Sequence, residues 1–169
     1  MSADPPLDGA DAAVVELVAR AHAALRARGA TVATAESLTG GLIAAALTAQ
    51  AGSSATFRGG LVVYATPLKA SLAGVDPGLL AERGAVDPDV AVGLAEGARD
   101  RLGATFGIGI TGVAGPSPQD GQEVGTVFLA LAGPGPTQLK RLRLAGDRAA
   151  IRTASVAAAL DLLVRESSV

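Results

Sequence analysis

No cysteine and no tryptophan occur among the 169 residues, and the aromatic set is one tyrosine and three phenylalanines. Without cysteine there are no disulfides and no thiolate metal sites, which fits a cytoplasmic chain. With 49% apolar but only 2% aromatic residues, the core must be built from Ala, Val, Leu and Ile. One histidine, His22, rules out a histidine-rich zinc site, and a Ser-His-Asp triad would have to use that single imidazole. His22 sits in "LVARAHAALRARG", a helical stretch where a packed or partly exposed helix residue is expected. Net charge is -2 with no basic block, so nothing marks nucleic acid as a partner. No apolar run reaches the ~18 residues of a membrane span. The start "MSADPPLDGADAA" lacks a basic region followed by an apolar run, which argues against a secretory signal.

What is present is the grammar of one α/β domain. Residues 1–10 read as a flexible tail and 11–169 as the domain. Val14, Leu17, Val18 and Leu25 recur at helical spacing from Asp11, and Gly29 ends that helix. "ATVATA" (30–35) reads as a buried strand, and 39–50 as a helix. "GGLVVYA" (59–65), "ATFGIGITG" (104–112) and "VGTVFLALAG" (124–133) read as further strands. "QLKRLRLAG" follows as an antiparallel partner of the last. Thr66-Pro67, Asp76-Pro77 and Asp87-Pro88 are helix starts, with a capping side chain before a proline, and Asp147 caps a final helix. The alternation predicts a three-layer α/β/α single domain with a mixed, mostly parallel sheet. The loop at 115–123, rich in Pro, Gly and Gln, is the segment expected to be most flexible.

Three strands run into polar or glycine-rich turns: Glu36–Gly41, Tyr64–Lys69 and Thr111–Pro116. In an open α/β sheet the ends of parallel strands gather on one edge, where ligands bind. The first turn, "ESLTGG", carries a carboxylate, two hydroxyls and two glycines, more than a strand-to-helix turn needs. Ser37 or Thr39 could cap the helix, with the glycines easing packing. The functional alternative is a serine at a helix start, where free N–H groups stabilise an oxyanion. The turn has neither the G-x-S-x-G pattern of a nucleophile elbow nor that of a P-loop. Lys69 would ordinarily be a solvated helix lysine. With Thr66 as N-cap it would sit at N3, where the helix dipole and some burial lower its pKa. A chain without a usable histidine needs another base, and Ser plus Lys is a known pairing. In the third turn two readings stand: Gly112 and Gly115 shape the loop, or Thr111 offers a functional hydroxyl at the strand end among backbone amides suited to an anion. Arg148 and Arg152, one helical turn apart, are ordinary surface charge or a bidentate pair for a phosphate.

Together, "AESLTGG", "FRGGLVVYATPLKASLAGV", "GAVDPDVA", "ITGVAGP", "VGTVFLAL" and "GDRAAIR" resemble one family in order and spacing. That family is the C-terminal domain of the competence/damage-inducible CinA proteins, the nicotinamide mononucleotide amidohydrolases. The likeness runs from Val14 to Leu163. It implies hydrolysis of the carboxamide of nicotinamide mononucleotide to nicotinate mononucleotide and ammonia, in pyridine nucleotide salvage, with no cofactor and no metal. By the same resemblance Ser37 is the nucleophile and Lys69 the general base. Tyr64 and Thr111 are active-site residues, and Arg148 is a substrate-side arginine. Glu36, Thr39, Gly40, Gly41, Thr66, Gly112 and Gly115 are the remaining candidates for substrate contact, with amides near Gly40 and Gly41 as oxyanion donors.

The sequence departs from the family at two points. An asparagine usual two residues after the tyrosine is replaced by Thr66, and Gln122-Glu123 stands where Lys-Pro is frequent before the V-G-T-V strand. A carboxylate in place of a cation there would weaken affinity for a phosphate-bearing substrate or redirect specificity. Longer relatives carry an N-terminal nucleotide-processing domain for which 169 residues leave no room, so its activity is expected to be absent. Two other readings stay open: a non-catalytic nucleotide-binding or regulatory module, and an amidase acting on a related small amide. The family and the abundant small apolar residues are compatible with a homo-oligomer.

Overall fold

The computed structural model describes residues 11–168. The proposed tail at 1–10 therefore lies outside the described residues. Five strands form one sheet in the order β2-β1-β3-β4-β5. They are β1 (Val32–Glu36), β2 (Phe57–Val62), β3 (Phe106–Gly112), β4 (Thr126–Ala132) and β5 (Gln138–Arg143). β1 pairs in parallel with β2 and β3, whereas β4 pairs antiparallel with both β3 and β5. The sheet is mixed, and β4 alone runs against the other strands.

Alternation along β1 sorts the two faces. Val32 packs with α1 (Ala12–Ala27), α2 (Leu42–Thr48) and α6 (Arg148–Ser167), while Ala33 and Ala35 face the opposite layer. That layer holds α3 (Thr66–Ser71), α4 (Pro77–Arg83) and α5 (Pro88–Arg101). The result is the expected three-layer α/β/α arrangement. α5 lies directly on β3, and glycine makes that possible. A Cβ on Gly107 would fall 2.0 Å from Ala95 O, and one on Gly109 would fall 2.2 Å from Ala95 N. No alanine fits either position.

Local capping explains most helix starts. Asp11, Asp76, Asp87 and Asp147 each accept a backbone N–H from the first turn of α1, α4, α5 and α6 respectively. Two starts differ from expectation. α3 begins at Thr66 with Ala65 as N-cap, so Thr66 caps nothing and Lys69 is not at N3. α2 begins at Leu42 rather than residue 39, and its N-cap is Gly41 in the left-handed region at φ 99° with no side-chain cap of its own. His22 is fully buried, with Nε2 against Leu47 O at 2.8 Å and Nδ1 against Thr56 Oγ1 at 2.6 Å, so it is a packing residue.

The chain leaves β1 over one face through α2 to reach β2. It then crosses the other face through α3, α4 and α5 to β3, on the far side of β1. The ends of β1 and β3 thus form a topological switch point, where a crevice opens beyond the strand termini. Ser37 and Thr111 lie there.

Candidate active site

The crevice at the switch point is a cleft open to solvent, lined by residues from all three expected turns. Ser37, Tyr64, Lys69, Thr111, Gly112, Gly115 and Arg148 line it together. Ser37 follows β1 directly, and its own N–H donates to Ile110 O of the neighbouring strand at 3.1 Å. The residue is 8% exposed. Its hydroxyl makes no hydrogen bond to another described residue.

Lys69 reaches the cleft from α3 and is 1% exposed. Its Nζ donates to Val63 O at 2.8 Å and to Tyr64 O at 3.2 Å. Burial lowers its pKa from the usual lysine value because desolvation disfavours the ammonium, and the Asp120 carboxylate partly opposes that effect. The expected helix-dipole contribution is absent, because α3 spans only Thr66–Ser71 and Lys69 lies in its last turn. Among the described residues no hydrogen bond joins Lys69 Nζ to Ser37 Oγ. The two groups share the cleft without touching in this state.

The polar side chains at the mouth are cross-braced. Arg148 donates to Gly115 O at 2.8 Å and to the Tyr64 hydroxyl at 3.2 Å. Thr111, 1% exposed, donates to Ala85 O at 2.7 Å, so its hydroxyl can only accept from a ligand. The loop after Gly115 is not loose as expected. Asp120 accepts from Ala85 N at 2.8 Å and Val86 N at 3.2 Å, and Gln119 and Gln122 exchange backbone bonds. Sequence reasoning overlooked Asp120, and overlooked Ala85, Val86 and Gln119 as cleft walls. The Asp-Gly pair at 120–121 marks a turn, but nothing local shows what its carboxylate would grip.

Several candidates lie elsewhere. Glu36 is 0% exposed and forms the floor beneath the turn instead of facing a substrate. Its Oε2 accepts from Thr39 Oγ1 at 2.7 Å and from the N–H groups of Gly41 and Ile43 at 3.1 Å each. Its Oε1 accepts from Ala44 N at 2.9 Å and Thr34 Oγ1 at 3.2 Å. Glu36 therefore caps α2 from the preceding strand, the role expected of Ser37 or Thr39. Thr39, fully buried, spends its hydroxyl on that carboxylate. Gly40 N–H donates to Ser37 O at 3.0 Å, so neither it nor Gly41 N–H is available to an oxyanion. Gly40, Gly41 and Thr66 do not line the cleft, and Thr66 is exposed. Arg152 does not join Arg148. It reaches the turn after Ser37 instead, donating to Leu38 O at 3.0 Å and Thr39 O at 3.1 Å. Gln122 and Glu123 also fall outside the cleft lining. Among the described residues no group of three or more His, Asp or Glu side chains is arranged to hold a metal ion, and no helix is long and apolar enough to cross a membrane.

Comparison with known proteins agrees with this architecture. A CinA-like protein of Frankia casuarinae is 56% identical over 138 residues, covering 82% of this chain and 32% of that protein. One from Gloeobacter violaceus is 48% identical over 155 residues, covering 89% and 36%. The chain thus spans about a third of the length of these curated relatives. Among solved structures, the competence/damage-inducible protein CihA from Agrobacterium tumefaciens superposes with a TM-score of 0.88 at 38% identity, covering 98% of each chain. A CinA superfamily protein from Klebsiella pneumoniae gives 0.88 at 35% identity, covering 92% of this chain and 98% of its own. The family model described as the CinA C-terminal domain matches residues 14–167, and with these relatives it shows that the chain belongs to the CinA C-terminal domain family.

Proposed function

We propose that this domain is a serine amidohydrolase acting on the carboxamide of nicotinamide mononucleotide, releasing nicotinate mononucleotide and ammonia. One observation carries the reading. A serine with an uncommitted hydroxyl and a buried lysine with a lowered pKa, from two different strand ends, line one cleft. A lysine held from water is the form that can exist as a neutral amine and accept a proton. Ser37 Oγ attacks the amide carbon, forming the C–O bond while its proton passes to Lys69 Nζ. The carbonyl electron pair moves to oxygen and returns as the C–N bond breaks, and the lysine proton leaves with ammonia. Water then attacks the ester carbon as Lys69 takes one of its protons; Lys69 returns that proton to Ser37 Oγ as the acyl C–O bond breaks, and the acid released ionises to the carboxylate. Neutral Lys69 can keep its two N–H bonds to Val63 O and Tyr64 O, and the lone pair that remains is the acceptor for the Ser37 proton. Arg148, at the mouth, is the cation available to the substrate phosphate.

The position of Gln122-Glu123 outside the cleft lining supports an unaltered substrate preference. Incubation with nicotinamide mononucleotide in chelator, followed by detection of ammonia and the acid product, tests the reading. Release of both in equal amounts is the expected result. Binding without product would leave a nucleotide-binding module, and turnover of other small amides alone would move the substrate class.

A further inference from the structure

The turn after Ser37 has two backbone amides left over. Ser37, Gly40, Gly41, Leu42, Ile43 and Ala44 all donate their N–H groups to acceptors on this chain. The amides of Leu38 and Thr39 find no acceptor among the described residues. Both residues are buried, Leu38 at 4% exposure and Thr39 at 0%; Leu38 lines the cleft, and Thr39, next to it in the chain, is outside the lining. Buried amides are almost always paired, so two consecutive unpaired ones beside a nucleophile await an acceptor brought by water or ligand.

Arg152 sets the direction of the Thr39 amide, while the Leu38 amide lies in the peptide whose Ser37 carbonyl is held by Gly40 N–H. Arg152 Nε donates to Leu38 O and its Nη2 to Thr39 O, a fork that takes both carbonyls from one side. In a trans peptide the N–H points opposite the C=O, so fixing Leu38 O turns Thr39 N–H away from the guanidinium. The approach is close: a Cβ on Gly40 would meet Arg152 Nη2 at 3.4 Å, and Gly40 adopts φ 62°. We propose that Leu38 and Thr39 N–H form the oxyanion hole and that Arg152 is the positioning residue that aims the Thr39 amide. This rests on Ser37 as the nucleophile. It replaces the Gly40 and Gly41 amides, which Ser37 O and Glu36 already occupy.

A fluorophosphonate, a small serine-reactive probe unrelated to nucleotides, tests it. Ser37 Oγ bonds to phosphorus, the P–F bond breaks, fluoride leaves, and the hydroxyl proton passes to Lys69. Negative charge on the P=O oxygen would fall to the same two amides. Labelling of Ser37 is followed by mass spectrometry in wild type, Arg152→Met and Arg152→Lys. Arg152→Met should label about tenfold to a hundredfold more slowly, as expected when a catalytic group is misaimed by a fraction of an ångström. Arg152→Lys, with one donor centre in place of a fork, should fall between. Added guanidinium should restore part of the Arg152→Met rate. On nicotinamide mononucleotide the loss should appear in kcat with KM near wild type, because the contact strengthens only in the transition state.

Labelling of folded Arg152→Met at the wild-type rate overturns the proposal, as does a loss confined to KM, or wild type that takes no label. Wild type that labels, with slow Arg152→Met, yet does not hydrolyse the nucleotide supports this inference and removes the substrate assignment instead. If the variants do not fold, amide NMR of wild type decides. On forming the Ser37 adduct, the Leu38 and Thr39 protons should move downfield further than those of Ala114 and Gly115, which line this cleft and also find no acceptor among the described residues. Unmoved Leu38 and Thr39 signals refute it.

Discussion

Replacing Glu36 with glutamine keeps the shape of the side chain and removes one acceptor oxygen, which isolates the hydrogen-bonding role from packing. The carboxylate takes five donors, three of them backbone amides of the α2 start. Glutamine does least harm with its oxygen at the Oε2 position, keeping Thr39, Gly41 and Ile43. Its NH2 then meets Thr34, whose hydroxyl can rotate to accept, and Ala44 N–H, which cannot. One stranded amide costs about 1–3 kcal/mol, and three bonds lose their charge assistance at roughly 1 kcal/mol each. Part of that sum is offset because a buried charge no longer has to be desolvated. The net expectation is a loss of about 2–4 kcal/mol. For a domain of this size that lowers Tm by about 5–15 °C. Urea denaturation followed by far-UV circular dichroism reads the free energy, and kcat/KM is taken at a temperature where the variant remains folded. A stability loss below about 1 kcal/mol together with collapse of kcat/KM would refute the reasoning, because Glu36 would then be acting on substrate.

Ser37→Ala should abolish turnover while substrate binding stays measurable by calorimetry; more than a few per cent of wild-type kcat would sink the covalent mechanism. Activity should rise with pH along a limb whose apparent pKa lies below the ordinary lysine value of 10.5, and Lys69→Arg should be inactive because guanidinium stays protonated. The same lowered pKa predicts a stability effect. Between the folded-state pKa and 10.5 the unfolded chain holds the extra proton, so wild-type stability rises with pH relative to Lys69→Met, measured by urea midpoints across pH. Dialysis against excess EDTA should leave the rate unchanged, and activity that is lost and then restored by magnesium or zinc would favour metal-assisted hydrolysis.

What was legible in the sequence was what acts locally. Asp11, Asp76, Asp87 and Asp147 could be read as caps because each bonds an amide two or three residues on. The start of α2 could not, because its cap is a strand residue seven and eight positions before the amides it holds. Thr66-Pro67 carries the letters of a capped start, yet the cap position falls on Ala65. The sheet followed from strand-helix alternation, and the convergence of Ser37, Lys69 and Thr111 followed from parallel strand ends. Asp120 was illegible because its carboxylate works on Ala85 and Val86, some 35 residues away along the chain. Arg148 and Arg152 share a helix face but not a task. The first turn of α6 sits beside Gly115 and Tyr64, and the next reaches the Ser37 turn.

The surplus of polar groups in "AESLTGG" follows from what holds that turn. Glu36 grips it from below through the Thr39 hydroxyl and the amides of Gly41, Ile43 and Ala44. Arg152 grips the carbonyls of Leu38 and Thr39. Gly40 and Gly41, at φ 62° and 99°, allow the chain to turn between those two grips, a conformation costly for side chains with a Cβ. Among the described residues, every hydrogen-bond donor of the turn at 37–41 is consumed by this arrangement except the Ser37 hydroxyl and the Leu38 and Thr39 amides. A turn needed only to join a strand to a helix would leave no such trio unpaired beside a cleft. The carboxylate and the guanidinium thus appear as opposite halves of one clamp, whose net product is a serine with two donors behind it. That is the least an enzyme needs to stabilise an anion it creates.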